Sequence, residues 1–150
     1  MADLPSSLWH QIVIKDPEGL SGASVSAFVI PIVSKVGATV IAASDLVGAC
    51  PGLLGYEKRL LTSADFLQKV TDAIQYDWAF FFLYSKSPEQ ETIASDDRAA
   101  MANADATVRL ADDYYFYVYS RDQGLMSDLR RKYPDAEYKA STFEDLDIPY

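Results

Sequence analysis

The chain has 150 residues, 49% apolar and 23% charged, which is enough to bury a core and too apolar for a disordered segment. Its formal charge is −9, and the charge is uneven. Residues 1–75 carry 5 basic and 7 acidic side chains, while residues 76–150 carry 8 basic and 15 acidic. Such a balance argues against nucleic acid, whose backbone is held by Lys and Arg, and favours a basic protein partner.

Taken in chain order, residues 10–15 (HQIVIK) read as a strand that ends at the turn-forming run Asp16, Pro17, Glu18, Gly19. Residues 27–33 (AFVIPIV) and 38–44 (ATVIAAS) read as two strands of a hairpin, with SKVG between them and Pro31 marking an edge or bulge. Their Val and Ile density, with Lys35, Pro31 and Gly37 inside the stretch, argues against a membrane span over 23–43. Gly48, Pro51, Gly52 and Gly55 predict a loop across 45–61.

Thr62 and Asp65 have capping spacing, and Phe66, Val70 and Ile74 give a helical stripe over about 63–75. Residues 78–84 (WAFFFLY) are apolar on both faces, the signature of a central strand. Ser87, Pro88 and Gln90 predict the cap of a helix that breaks near Ser95, Asp96 and Asp97 before AAMANA continues it. A strand at 106–111 (ATVRLA), a turn at Asp112 and Asp113, and a strand at 114–120 (YYFYVYS) follow. Asp122 caps a helix with the stripe Leu125, Leu129 and Tyr133, stopped by Pro134, and 136–141 forms a last strand.

These elements predict a single α+β domain over 1–150, with a mixed β-sheet, helices mainly on one face and 78–84 central. The order of 78–141 is that of the ferredoxin-like split βαβ motif (βαββαβ).

Catalytic signals are sparse. His10 is the lone histidine, whereas nucleophilic triads and most zinc sites need one with partners. Cys50 is the lone cysteine, so no intrachain disulfide forms, which suits a reducing, cytoplasmic compartment. With only Lys58 and Arg59 near it in sequence, Cys50 reads as a buried, inert thiol. Asp3 and the lack of basic residues near the N-terminus do not fit a leader peptide. The pairs Asp96/Asp97 and Asp112/Asp113 sit where caps and turns want Asp and lack calcium-loop spacing. No cofactor, metal or catalytic residue is therefore expected, and the chain reads as a non-enzyme.

The feature that does point outward is the strand at 114–120. Alternation puts Tyr115, Tyr117 and Tyr119 on one face, a row of stiff rings with polar tips. Tyr is enriched at binding hot spots, and Asp112 and Asp113 beside the row would steer a basic partner. The expected site is thus Tyr115, Tyr117, Tyr119, Asp112 and Asp113, on an inhibitor or toxin-neutralising, immunity-type protein. The alternative is a small-ligand-binding or hydrolytic α+β domain that works through carboxylates.

Overall fold

The computed structural model describes residues 8–150; the stretch around Asp3 lies outside the described residues. Seven strands form one sheet: β1 (Trp9–Lys15), β2 (Val40–Ala49), β3 (Leu61–Thr62), β4 (Gln75–Tyr84), β5 (Ala106–Ala111), β6 (Tyr115–Ser120) and β7 (Glu137–Ser141). Five α-helices accompany them: α1 (Gly22–Val36), α2 (Ser63–Val70), α3 (Gln90–Ser95), α4 (Asp97–Asn103) and α5 (Gln123–Lys132). The fold is α+β. The sheet order is β3-β2-β4-β5-β6-β1-β7 and every pairing is antiparallel, so the expected mixed sheet is corrected to an antiparallel one.

The largest departure from the sequence reading is α1. Residues 27–33 are helix, not strand, although they are rich in β-branched residues and contain Pro31. The deciding signal is the period. Val25, Phe28, Val29, Ile32 and Val33 turn inward while Ala23, Ala27, Ile30, Pro31 and Ser34 face out. Both ends are defined: the Ser21 hydroxyl accepts from the Ser24 amide at 3.1 Å, and Gly37 closes the helix at φ 66°. A proline inside a helix costs about 3 kcal/mol. Here it lies on the exposed side, where water can take the carbonyl it leaves free, and the buried stripe offsets the cost.

Smaller differences have similar causes. Helix α2 stops at Val70, so Ile74 falls outside the stripe and is 80% exposed. Ser87 does not cap α3; Glu89 occupies that position with no side-chain hydrogen bond, and Gln90 instead donates to the Lys58 carbonyl. The Thr62, Asp96 and Asp122 caps form as their spacing suggests.

The split βαβ order is present, but its first strand is β1 rather than residues 78–84. In that motif the strand before the first helix lies between the third and fourth strands. That seat between β6 and β7 is held by β1. The unit is therefore β1, α1, β5, β6, α5 and β7, and the segment 40–103 is inserted to extend the β5 edge with β4, β2 and β3. This makes β4 an interior strand, flanked by β2 and β5, with both faces buried from Ala79 to Tyr84.

Helices α1, α2 and α5 cover one face, packing Val25, Phe66 and Leu125 against a floor that includes Ile12, Phe81, Val108 and Val118. Helices α3 and α4 lie on the other, where Ile93, Ala100 and Met101 meet Phe80, Phe82, Tyr84 and Tyr119. Among the described residues, no helix is long and apolar enough to cross a membrane.

The start of α1 is wedged against the end of α2. A Cβ on Gly22 would sit 2.2 Å from the Thr71 carbonyl oxygen and 2.7 Å from that of Ala73, and backbone cannot swing aside as a side chain can. Gly22→Ala is expected to lower unfolding stability in urea by about 2–3 kcal/mol. Exposed Ala23→Ser, one residue on, should change it by less than about 0.5 kcal/mol, and equal effects would refute the packing described.

Candidate functional site

The second face of the sheet carries the tyrosine row, and the pairing places each ring. Tyr115, Tyr117 and Tyr119 stand opposite Ala111, Arg109 and Thr107 of β5, and opposite Lys15, Val13 and Gln11 of β1. The row is not uniform. Tyr119 is fully buried, and its hydroxyl donates to the Asp147 carbonyl at 2.5 Å. Burial holds its ionisation far above the usual phenol range. Tyr115 and Tyr117 remain half-buried. Of the three rings expected at a surface, Tyr119 is therefore corrected to the interior.

What covers Tyr119 is the C-terminal segment, not a helix. After a short turn at Phe143–Asp145, residues 146–150 lie across the sheet as a strap. Leu146 is buried, and the Asp147 amide donates to the Gln11 side chain at 2.8 Å. The Asp147 carboxylate accepts from Gln11 at 3.3 Å and pairs with Lys139 at 3.1 Å. Hydrogen bonds from Lys139 and Gln11 hold that carboxyl below the ordinary carboxylate range. Further on, the Pro149 carbonyl accepts from Arg109 Nε at 3.0 Å.

Arg109 is the residue that the sequence reading passed over. It is completely buried in β5, with its guanidinium 4.0 Å from the Phe80 ring centroid and 4.8 Å from that of Trp78. Its Nη2 meets the Asp45 carboxylate at 2.7 Å, while Nη1 has no hydrogen-bond partner among the described residues. Asp45 reaches it from an irregular stretch of β2, at φ 51°, a conformation that Asp tolerates better than most residues. A lone Arg between apolar strand neighbours, as in ATVRLA, was the available signal.

At the open end of the row, Asp112 and Asp113 form the β5–β6 turn with φ of 51° and 66°. Asp112 is exposed. Asp113 is partly structural: its carbonyl accepts from the Leu20 amide at 3.0 Å and from Gln75 at 3.3 Å. Its amide donates to the Asp77 carbonyl at 3.3 Å, and the neighbouring Asp113 carboxyl, together with burial, raises the Asp77 pKa. Around Tyr117, burial first and then Asp112, Tyr115, Glu137 and Asp147 push the phenol pKa up. Two half-exposed rings thus sit among Asp112, Glu137 and Asp147, with Lys15 6.0 Å from the Tyr115 ring and Lys139 paired with Asp147.

The other candidates lie away from the tyrosine row's open end. Cys50 is buried, and burial raises its thiol pKa, with Glu57 and Asp77 adding to the effect. His10 is buried with Nδ1 2.6 Å from the Tyr138 hydroxyl. Asp96 caps α4 through the Ala99 amide at 2.7 Å. Among the described residues, no group of three or more His, Cys, Asp or Glu side chains is placed to hold a metal ion. In comparisons with known proteins, no family model matches the chain, and no curated protein or solved structure is significantly similar to it.

The Asp77–Asp113 contact makes a pH prediction. A carboxyl whose pKa is raised on folding favours the fold while protonated, and that contribution is lost as pH rises through the raised pKa. Asp77→Asn should therefore raise the thermal midpoint at pH 7 relative to the parent, and the gain should vanish below the ordinary carboxylate range. A variant less stable than the parent at neutral pH would contradict the placement of these two groups.

Proposed function

We propose that this chain is a non-enzymatic binding protein whose open second-face surface masks a basic patch on a partner protein. The observation that carries the reading is Tyr117, half-exposed beside Tyr115 and bordered by Asp112, Glu137 and Asp147. Aromatic rings of this kind supply desolvated contact at little entropic cost, and a rim of like charge raises the encounter rate with an oppositely charged partner. Trp78, partly exposed and stacked on Arg109, extends the aromatic surface. Small acidic inhibitors and immunity-type proteins work by this logic. The concentration of acid after residue 76 supports the same partner chemistry.

One observation favours the alternative of a small-ligand or hydrolytic domain that uses carboxylates. The Asp77 and Asp113 carboxyls are neighbours, and the Asp77 pKa is raised by that proximity and by burial. Proton transfer needs such a pair to face a substrate cavity, however, and neither residue lines one of the described cavities.

The masking reading is tested by affinity capture from native lysate, followed by kinetics with the purified basic partner. Tyr115→Ala with Tyr117→Ala should cost about 2 kcal/mol, or about thirtyfold in Kd, in a variant with unchanged circular dichroism. Asp112→Asn should act mainly on the association rate, and raising salt from about 50 to about 500 mM should slow association of the parent. Full affinity in the double-alanine variant would reduce the row to core packing, and recovery of a bound metabolite in place of a basic protein would remove the proposal.

A further inference from the structure

Strand β7 is the last strand of the sheet and pairs with β1 alone. Its other edge therefore carries main-chain N–H and C=O groups with no partner strand among the described residues. Such an edge is a template for a further strand, and proteins commonly guard it with an outward lysine or a proline. Neither guard stands here. Lys139, opposite Gln11, is drawn to the tyrosine side of the sheet and paired with Asp147 at 3.1 Å, and Pro134 lies before the strand begins.

The register puts Tyr138 opposite Ile12, on the helix-covered face. Helix α5 packs over β1 and β6, and a groove of about 480 Å3 runs between it and β7. The lining includes Arg130, Arg131, Tyr133, Ala136 and Tyr138 and no carboxylate. The Arg130 guanidinium lies 4.2 Å from the Tyr138 ring centroid. A guanidinium stacked on a ring keeps its N–H edge free for a carboxylate, which it takes through two parallel bonds. Among the described residues Arg130 has no carboxylate within 4.0 Å, whereas Arg131 shares Asp128 with Lys35. Of the neighbouring acids, Asp135 is exposed outside the groove, and Glu137, opposite Val13, faces the other side of the sheet.

We propose that the β7 edge takes an extended acidic peptide as an eighth strand, with one Asp or Glu side chain of that peptide seated in the groove on Arg130. Main-chain bonds to the edge supply affinity, and the groove selects among the side chains that alternate onto the helix side. The groove opens on the opposite face from Tyr117, so the site stands or falls independently of the masking surface.

The probe is the capped pentapeptide acetyl-Thr-Val-Glu-Val-Thr-amide, whose glutamate is its sole charge. It is titrated into the full chain and followed by amide chemical shifts, with the glutamine peptide as the comparison. Saturable binding is expected at a Kd below about 1 mM, with shifts centred on residues 130–131 and 136–141. Arg130→Gln in the chain and glutamine in the peptide should each weaken binding about tenfold, and the two together no more than either alone. Alternate amides of a strand face its neighbour, so N-methylation of the peptide at both valines, or at the threonines and glutamate, should abolish binding for at least one set. The chain alone should sediment as a monomer at about 0.1 mM. A dimer with protected β7 amides would make a second copy the occupant and overturn the proposal. So would no saturation at millimolar peptide, equal binding of the glutamate and glutamine peptides, or tolerance of both methylated sets.

Discussion

Two-sided burial of β4 and β5 is the constraint on which the rest of the structure depends. Phe81, Leu83, Val108 and Leu110 need cover on one face, and Phe80, Phe82, Tyr84 and Arg109 need it on the other. Three helices meet the first demand. The second is met in pieces: two short helices, α3 and α4, over one end, and the strap 146–150 beyond them. Aromatic side chains are worth about 2–3 kcal/mol each when removed from water, so leaving Phe80 or Phe82 bare would be costly. The cover ends past Tyr119, at Tyr117 and Tyr115. Tyr115 and Tyr117 can face water with their hydroxyls while their ring bodies stay against the sheet, and that property makes an open half-face tolerable.

Arg109 ties the two parts of the second face together. A buried guanidinium is costly unless nearly every N–H finds an acceptor, and here one face of the group is held by aromatic rings, one nitrogen by Asp45 and one by the Pro149 carbonyl. Strap and bulge are therefore coupled through a single side chain: the irregular turn of β2 that presents Asp45 and the path of the C-terminal segment both answer to it. Gln11 and Tyr119 fix the strap further along, through the main chain of Asp147. Most of these bonds go to backbone atoms, so the strap's position depends less on its own side chains than on those of the sheet beneath it.

How far the sequence was legible follows from which signals are local. Caps at Thr62, Asp96 and Asp122 and the turn at Asp112 and Asp113 are short-range devices, and their residues specify them. The two-faced run at 78–84 announced an interior strand because seven aromatic-rich apolar residues are too few for a buried helix or a membrane span. The error at 27–33 came from weighing Val, Ile and Pro31 above the three-to-four-residue spacing of Val25, Phe28, Val29 and Ile32. The first strand of the split unit was misassigned because β1 reaches its seat from more than 90 residues away in sequence, against the short separations that order-based reading favours. Half of the candidate site was legible: alternation put the three tyrosines on one face. It could not show that an unremarkable tail, TFEDLDIPY, would cover Tyr119 and spare Tyr117.

The central claim is that the second face is closed over Tyr119 and open over Tyr115 and Tyr117. Hydroxyl-radical footprinting of the native chain, read by mass spectrometry at each tyrosine, tests it most directly. Tyr115 and Tyr117 should be oxidised readily, while Tyr119 and Tyr84 should be protected until the protein unfolds. Labelling of Tyr119 at the rate of Tyr117, or protection of all three rings in the row, would contradict the half-open face.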